Sequence, residues 1–227
     1  MRRRNKKRDR NMKNENISGH YDEAYFEWER KIGEFGAWAD KDRFNKYITP
    51  EDVVLEFGCG GGFLLKEINC RKRLGVEINP AAIKVAQKNG IKIYTSTEEV
   101  YDNSIDVIIS TNALEHTLRP LDELKKLYNK LKIGGKVIFL VPCESISYKY
   151  KPNDINHHLY SWSPMCIGNL FTEAGFKVIE VNSDASKWPP HAELVAKIAG
   201  RFIFNIICKI YGSLRRSFFS VRIIATK

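Results

Sequence analysis

The chain has 227 residues, of which 43% are hydrophobic, and its five cysteines include no C-x-x-C pair. Such a length and composition are typical of one globular domain with a sizeable core. The scattered cysteines argue against a disulfide framework and against a zinc site, and free thiols indicate a reducing compartment, so we expect a cytoplasmic protein. We expect no membrane-spanning helix, because no apolar run is long enough, and no secretory signal, because no apolar segment follows the basic N-terminus.

The net charge of +10 is concentrated at the two ends of the chain. Residues 1–13 carry +7 and residues 197–227 carry another +7, which leaves the rest of the chain at −4. Proteins that act on nucleic acid more often carry a basic stripe across the folded face. The acidic body therefore makes a nucleic-acid partner the less favoured alternative. Residues 1–18 are nearly all polar, and we predict a disordered basic tail there.

Residues 19–49 are rich in aromatic side chains at roughly helical spacing, which predicts a helical cap ahead of the sheet. Gly33 and Gly36 interrupt the pattern, so we expect two short helices.

From residue 50 to residue 227, strand and helix patterns alternate as in an α/β fold. Asn79 and Ser163 are each followed by proline, a pattern that predicts a cap and a first helical residue. Seven predicted strands suit a Rossmann-like, doubly wound sheet. They cover residues 53–57, 73–77, 91–94, 105–110, 136–141, 176–182 and 219–225.

The first strand leads into a glycine-rich turn and then a helix, an arrangement that binds nucleotides. A dinucleotide fingerprint, G-x-G-x-x-G, would place a third glycine where Phe63 stands, which disfavours a nicotinamide oxidoreductase. The glycines instead form E-x-G-x-G-x-G, beginning at Glu56. This pattern resembles motif I of the class I S-adenosylmethionine (SAM) methyltransferases.

Further motifs follow in the order of that family: Glu77 ending the second strand, S-T-N-A-L-E-H after the fourth, a Gly-Gly turn, and H-L-Y-S-W-S-P before a helix. The resemblance implies a class I methyltransferase fold whose last strand is inserted antiparallel by a hairpin. It also implies SAM as cofactor, S-adenosylhomocysteine as product, and no metal, for which no third ligand has suitable spacing.

The cofactor contacts follow from the strand ends. Glu77 is expected to accept the ribose hydroxyls in a bidentate pair, and Glu56 to reach the amino group of SAM. Contacts to the adenine are expected after the third strand. The full set of expected cofactor-binding residues is Tyr25, Glu56, Gly58, Cys59, Gly60, Glu77, Ile78, Ser96, Thr97 and Asn112.

The closest subgroup resembles the bacterial methyltransferase-23 type, which implies a small-molecule or glycan acceptor, most often methylated at oxygen. For a hydroxyl acceptor, His116 or His158 would serve as a general base with a near-neutral pKa. An RNA methyltransferase and a non-catalytic binding protein with the same fold remain alternatives.

A nearly continuous apolar helix is predicted within residues 190–213 as a helical insertion. Two interpretations remain open: a lid helix that packs on the domain or on a second copy, and an interfacial helix that brings residues 191–218 to a membrane. The oligomeric state is left open.

Overall fold

A computed structural model describes residues 23–145, 147–152, 154–215 and 218–227. The predicted disordered tail, residues 1–18, lies outside the described residues. Fifteen elements follow one another along the described chain. The helices are α1 (Glu23–Asn45), α2 (Phe63–Glu67), α3 (Pro80–Lys88), α4 (Pro120–Lys130), α5 (Pro164–Glu173) and α6 (Ala192–Arg215), with 3-10 turns at Thr97–Glu99 and Leu114–His116. The strands are β1 (Val53–Phe57), β2 (Lys72–Val76), β3 (Lys92–Tyr94), β4 (Ile105–Thr111), β5 (Leu131–Glu144), β6 (Lys177–Asp184) and β7 (Phe218–Thr226).

The seven strands form one sheet in the order β3-β2-β1-β4-β5-β7-β6. The first five strands are parallel, and β7 lies antiparallel between β5 and β6. The predicted Rossmann-like, doubly wound sheet and its antiparallel last strand are therefore confirmed. The strand order reverses between β1 and β4, and ligands of such sheets bind at the carboxyl ends of the strands at this point.

Strand β1 is the centre of the parallel part, and all five of its residues are buried. Val54 and Leu55 point to opposite faces and pack into separate apolar clusters. A strand covered by helices on both faces reads as a continuous apolar run, and for that reason its predicted bounds match the structure. The exception within the run is Glu56, a buried ionisable residue.

The predicted helix starts at proline are also found. The Asn79 side chain accepts a hydrogen bond from the Ala81 backbone at 2.9 Å, and Ser163 Oγ accepts one from the Cys166 backbone at 3.1 Å. Strand β5, by contrast, begins five residues earlier than predicted. Leu131 already pairs with Ile105, and an irregularity follows before Val107 pairs with Lys136.

The prediction of two short N-terminal helices is wrong, because α1 runs unbroken through Gly33 and Gly36. Both glycines serve packing. A Cβ on Gly33 would lie 3.0 Å from the Phe63 ring, and one on Gly36 would lie 3.4 Å from the Trp188 ring. Glycine within a helix costs about 1 kcal/mol relative to alanine, and the contacts that it permits with neighbouring rings offset this cost.

Helix α6 is the predicted insertion, and it changes direction at Gly200, whose φ is 70°. One face packs on the domain through four buried residues, Ala196, Phe204, Cys208 and Gly212. Phe204 meets the ring of Phe35 from α1, with centroids 5.6 Å apart. The helix is thus docked along one side.

At Gly212, α6 contacts the backbone of the segment that precedes the helix in the chain. A Cβ there would lie 1.4 Å from the Ala185 carbonyl oxygen. Gly212→Ala should destabilise the protein by about 1–3 kcal/mol, because backbone atoms must move to admit the methyl group. Gly168→Ala in α5 is the matched control, since its Cβ would meet Val181 at 3.6 Å. Thermal and urea unfolding should show Gly168→Ala equal to or above the parent in stability. Equal stability of the two variants would contradict this packing.

Candidate active site

The glycine-rich turn connects β1 to α2. Gly58, Gly60 and Gly62 have φ values of 68°, 50° and 71°, all in the left-handed region. A Cβ on Gly58 would lie 2.3 Å from the Cβ of Ala113, and one on Gly60 would lie 2.8 Å from Glu29 Oε1. The alternate glycines of the sequence motif are therefore required by backbone conformation and by close approach, as well as by room for a ligand.

Glu77 follows β2 directly, and its carboxylate closes on the glycine turn. Oε2 accepts a hydrogen bond from the Gly60 backbone at 2.8 Å. Oε1 accepts bonds from the backbones of Ile78 and Asn79, each at 2.8 Å. Burial raises the pKa of Glu77, and these three N–H groups oppose the rise. Their hydrogen bonds hold the carboxylate in one orientation at the strand end.

Glu56 lies at the base of the same turn and is 4% exposed. Its Oε2 is buried and has no hydrogen-bond partner among the described residues. Burial raises the pKa of Glu56 well above its ordinary value, and the charges of Glu29 and Glu77 raise it further. A buried acid of this kind is stabilised by a cation or by a proton.

Glu29, on α1, was missed by the sequence analysis. Its carboxyl group lies over Gly60, and its pKa is raised to about 7, first by burial and then by the charge of Glu77. The sequence offers one indication of its location: Glu29 lies one helical turn after Tyr25, a residue expected to contact the cofactor. Three carboxyl groups, from Glu29, Glu56 and Glu77, thus surround the glycine turn, and this concentration of negative charge favours a cationic ligand.

The other expected cofactor residues fall into two sets. Tyr25, Ile78 and Cys59 form the first, and Ser96, Thr97 and Asn112, which are engaged in local structure, form the second. Tyr25 lies half-buried on α1 with its ring 5.7 Å from Trp28. Ile78 is 47% exposed beside Glu77, and its contact with a cofactor stays a prediction. Cys59 is buried, its Sγ would lie 2.4 Å from a Cβ on Gly75, and its thiol donates to the Gly60 carbonyl at 3.7 Å.

Ser96, Thr97 and Asn112 are engaged in local structure. Ser96 Oγ accepts a hydrogen bond from the Glu98 backbone, and buried Thr97 donates to Glu123 at 3.2 Å. Asn112 is exposed, with φ of 49°, and its backbone donates to Leu140. Their contacts with a cofactor stay predictions.

The two histidines expected to act in catalysis are brought together although they are far apart in sequence. The His116 and His158 rings meet edge to face, with centroids 5.0 Å apart. His158 Nδ1 lies 2.8 Å from Glu144 Oε1, and this bond orients the ring. Both rings face Glu115, which is fully buried and whose pKa is raised to about 8 by burial and by the charge of Glu144.

The segment that carries His158 is pinned at several points. The Leu159 backbone donates to the Glu115 carbonyl at 3.0 Å, and the Trp162 backbone donates to the Pro142 carbonyl at 2.9 Å. The Glu144 backbone donates to Ser161 Oγ at 2.8 Å. The histidine pair is therefore fixed to the ends of β4 and β5, next to the contact between Gly58 and Ala113.

The comparisons with known proteins agree with this arrangement. A family model described as a methyltransferase domain, of the methyltransferase-23 type, matches residues 21–181. An uncharacterized methyltransferase of Schizosaccharomyces pombe is 31% identical over 32% of this chain and 31% of its own length. A malonyl-[acyl-carrier protein] O-methyltransferase of Marinomonas is 28% identical over 40% of this chain and 38% of its own length. The first curated relatives are matched over 31–60% of their length.

Among solved structures, a SAM-dependent methyltransferase of Thermotoga maritima, a possible histamine N-methyltransferase, shares the fold. The TM-score is 0.65 at 19% identity, over 93% of this chain and 99% of that one. A phosphoethanolamine N-methyltransferase of Haemonchus contortus, solved with S-adenosylhomocysteine, has a TM-score of 0.56 at 16% identity, over 85% and 52% of the two chains. With the family model covering most of its length, the chain belongs to the class I SAM-dependent methyltransferase family.

Proposed function

We propose that this protein is an enzyme that transfers a methyl group from SAM to an oxygen atom of a small molecule or glycan. The observation that carries the proposal is the set of three carboxyl groups around the glycine turn. SAM supplies an activated methyl group on a sulfonium that direct displacement can transfer. Its sulfonium and ammonium charges fit this acidic corner. Glu77 would hold the ribose, and Glu56 and Glu29 would face the charged end.

The acceptor side of the proposal rests on the histidine pair. It lies at the ends of β4 and β5, and Ala113 connects it to the cofactor turn. A hydroxyl acceptor placed there would find polar groups able to assist the loss of its proton, whereas an amine acceptor needs less help of this kind. The curated relatives include enzymes named for protein, tRNA and acyl-carrier-protein substrates, so the acceptor class rests on the site alone.

Isothermal titration should show that SAM and S-adenosylhomocysteine bind and that NAD does not. Glu77→Gln should weaken SAM binding about 10- to 100-fold, because hydrogen bonds to a charged group contribute about 1.5–3 kcal/mol. Glu173→Gln, an exposed acid on α5, is the matched control and should bind as the parent does. Radiolabelled methyl transfer to cell fractions then identifies the acceptor. NAD binding in place of SAM would overturn the proposed function.

The acidic corner also predicts a pH dependence. A bound cation favours ionised Glu29, whose pKa is about 7 in the free protein, so binding releases a proton. SAM affinity should therefore rise as the pH rises from about 6 to about 7.5, by at most tenfold per unit. Titration in buffers of different ionisation enthalpy counts the released protons. Glu29→Gln should flatten the profile, and an unchanged slope in that variant would refute the role of Glu29.

We also propose that α6 rests on an anionic membrane surface. Both segments of α6, before and after Gly200, carry large exposed apolar side chains four residues apart, here called the apolar stripe, with Ile198 at 78% and Phe202 at 79%. Leu194, at the start of this stripe, also lines a cleft of about 490 Å³ between α1 and α6. The members of the stripe are Leu194, Ile198, Phe202, Ile206, Ile210 and Leu214.

The charges of α6 indicate which kind of partner covers the apolar stripe. Every charged residue from 194 to 215 is basic, including Lys197, Lys209 and Arg215. A second copy docked by the same face would bring these cations together, whereas anionic headgroups attract them. None of the helices in the described residues is long and apolar enough to cross a membrane, so the contact would lie in the interface.

Ile198→Asp should reduce cosedimentation with phosphatidylserine-containing vesicles severalfold. The substitution places a negative charge, which the anionic headgroups repel, in the apolar stripe. Ile133→Asp is the matched control, since Ile133 is 90% exposed at the turn within β5, outside α6. Binding equal to the parent in both variants would sink the membrane contact. A concentration-dependent dimer that Ile198→Asp disrupts would instead assign the stripe to a second copy.

A further inference from the structure

The Glu115 carboxylate is the least satisfied polar group on the acceptor side of the site. It is 0% exposed, and neither of its oxygens has a hydrogen-bond partner among the described residues. Its Oε1 lies 3.9 Å from His116 Nε2 and 4.0 Å from His158 Nε2, too far for hydrogen bonds. Three potential ligand atoms thus surround a small space without closing it.

The orientation of His158 adds an independent observation. A carboxylate only accepts hydrogen bonds, so His158 Nδ1–H donates to Glu144 Oε1 at 2.8 Å. Its Nε2 then presents a lone pair toward Glu115. Metal-bound histidines usually have this arrangement, in which the second ring nitrogen donates to a carboxylate that fixes the tautomer.

We propose that Glu115, His116 and His158 bind one divalent transition cation beside the cofactor turn. Their ligand atoms lie within 4.8 Å of one another. Ligands held at about 2.1 Å in a tetrahedral site lie about 3.4 Å apart, so each carboxylate–histidine pair must close by about half an ångström. Two imidazoles favour Zn²⁺ over Mg²⁺ and Ca²⁺, which prefer oxygen ligands, and Mn²⁺ serves as a weaker-binding, paramagnetic probe of the same site.

Three protein ligands leave coordination positions open, as in catalytic rather than structural zinc sites. A hydroxyl group bound there loses its proton to solvent more readily, because the cation stabilises the alkoxide. This role of the cation rests on the proposed function. It narrows the acceptor to a compound with a metal-binding hydroxyl group. Both histidines then act as ligands, since a lone pair bound to the metal cannot accept a proton.

Electron paramagnetic resonance of Mn²⁺ tests the site without any methyl transfer. Adding the full-length protein should remove one equivalent of free Mn²⁺ signal per chain, and Zn²⁺ should displace it. Glu115→Gln and His158→Ala should each weaken Mn²⁺ binding at least tenfold, and Glu144→Gln about 10- to 100-fold through its effect on His158. His157→Asn is the matched control. Asparagine tolerates the φ of 49° at that exposed position, and binding should be unchanged.

No loss of Mn²⁺ signal with the parent protein at about millimolar concentration would overturn the cation site, as would equal affinity in the parent and the Glu115→Gln and His158→Ala variants. Circular dichroism and SAM titration of the same samples establish that each variant is folded. SAM binding without Mn²⁺ binding would overturn the cation and leave methyl transfer standing. Mn²⁺ binding without SAM binding would overturn the proposed function alone.

Discussion

The central physical constraint in this protein is buried negative charge at the carboxyl edge of its sheet. Glu29, Glu56 and Glu77 surround one glycine turn. The charge of Glu77 raises the pKa of Glu29, and the charges of both raise the pKa of Glu56. Like charges in a partly desolvated corner cost free energy unless a proton or a cation compensates them. Two features offset this cost: three backbone N–H groups that donate to Glu77, and the packing of α1. A cationic cofactor relieves it.

The same electrostatic situation occurs a second time on the other side of the Gly58–Ala113 contact, where Glu115 is buried between two histidines. The glycine turn and the segment after β4 approach each other closely here, since a Cβ on Gly58 would lie 2.3 Å from the Cβ of Ala113. In the proposed reaction, the methyl group and its acceptor would meet across this boundary, and rigid elements hold both of its sides.

The parts of the fold that the sequence predicted are those fixed by local physics. A strand buried on both faces, such as β1, must be apolar throughout, and Asn79-Pro80 satisfies a helix start by itself. The errors lie where distant residues decide. Gly33 and Gly36 remain helical because Phe63 and Trp188 pack against them, and β5 begins early because Leu131 finds a partner in β4. The position of Glu29 over the glycine turn and the proximity of Glu115 to His158 depend on tertiary contacts that no local spacing encodes.

The insertion of β7 between β5 and β6 has a consequence for biogenesis. Among the described residues, β6 pairs only with β7, which follows it in the chain after the whole of α6. Until β7 has been made and released, β6 and the facing edge of β5 therefore have unpaired backbone groups. These open edges can pair with the edge of another unfinished chain until the last strand closes the sheet.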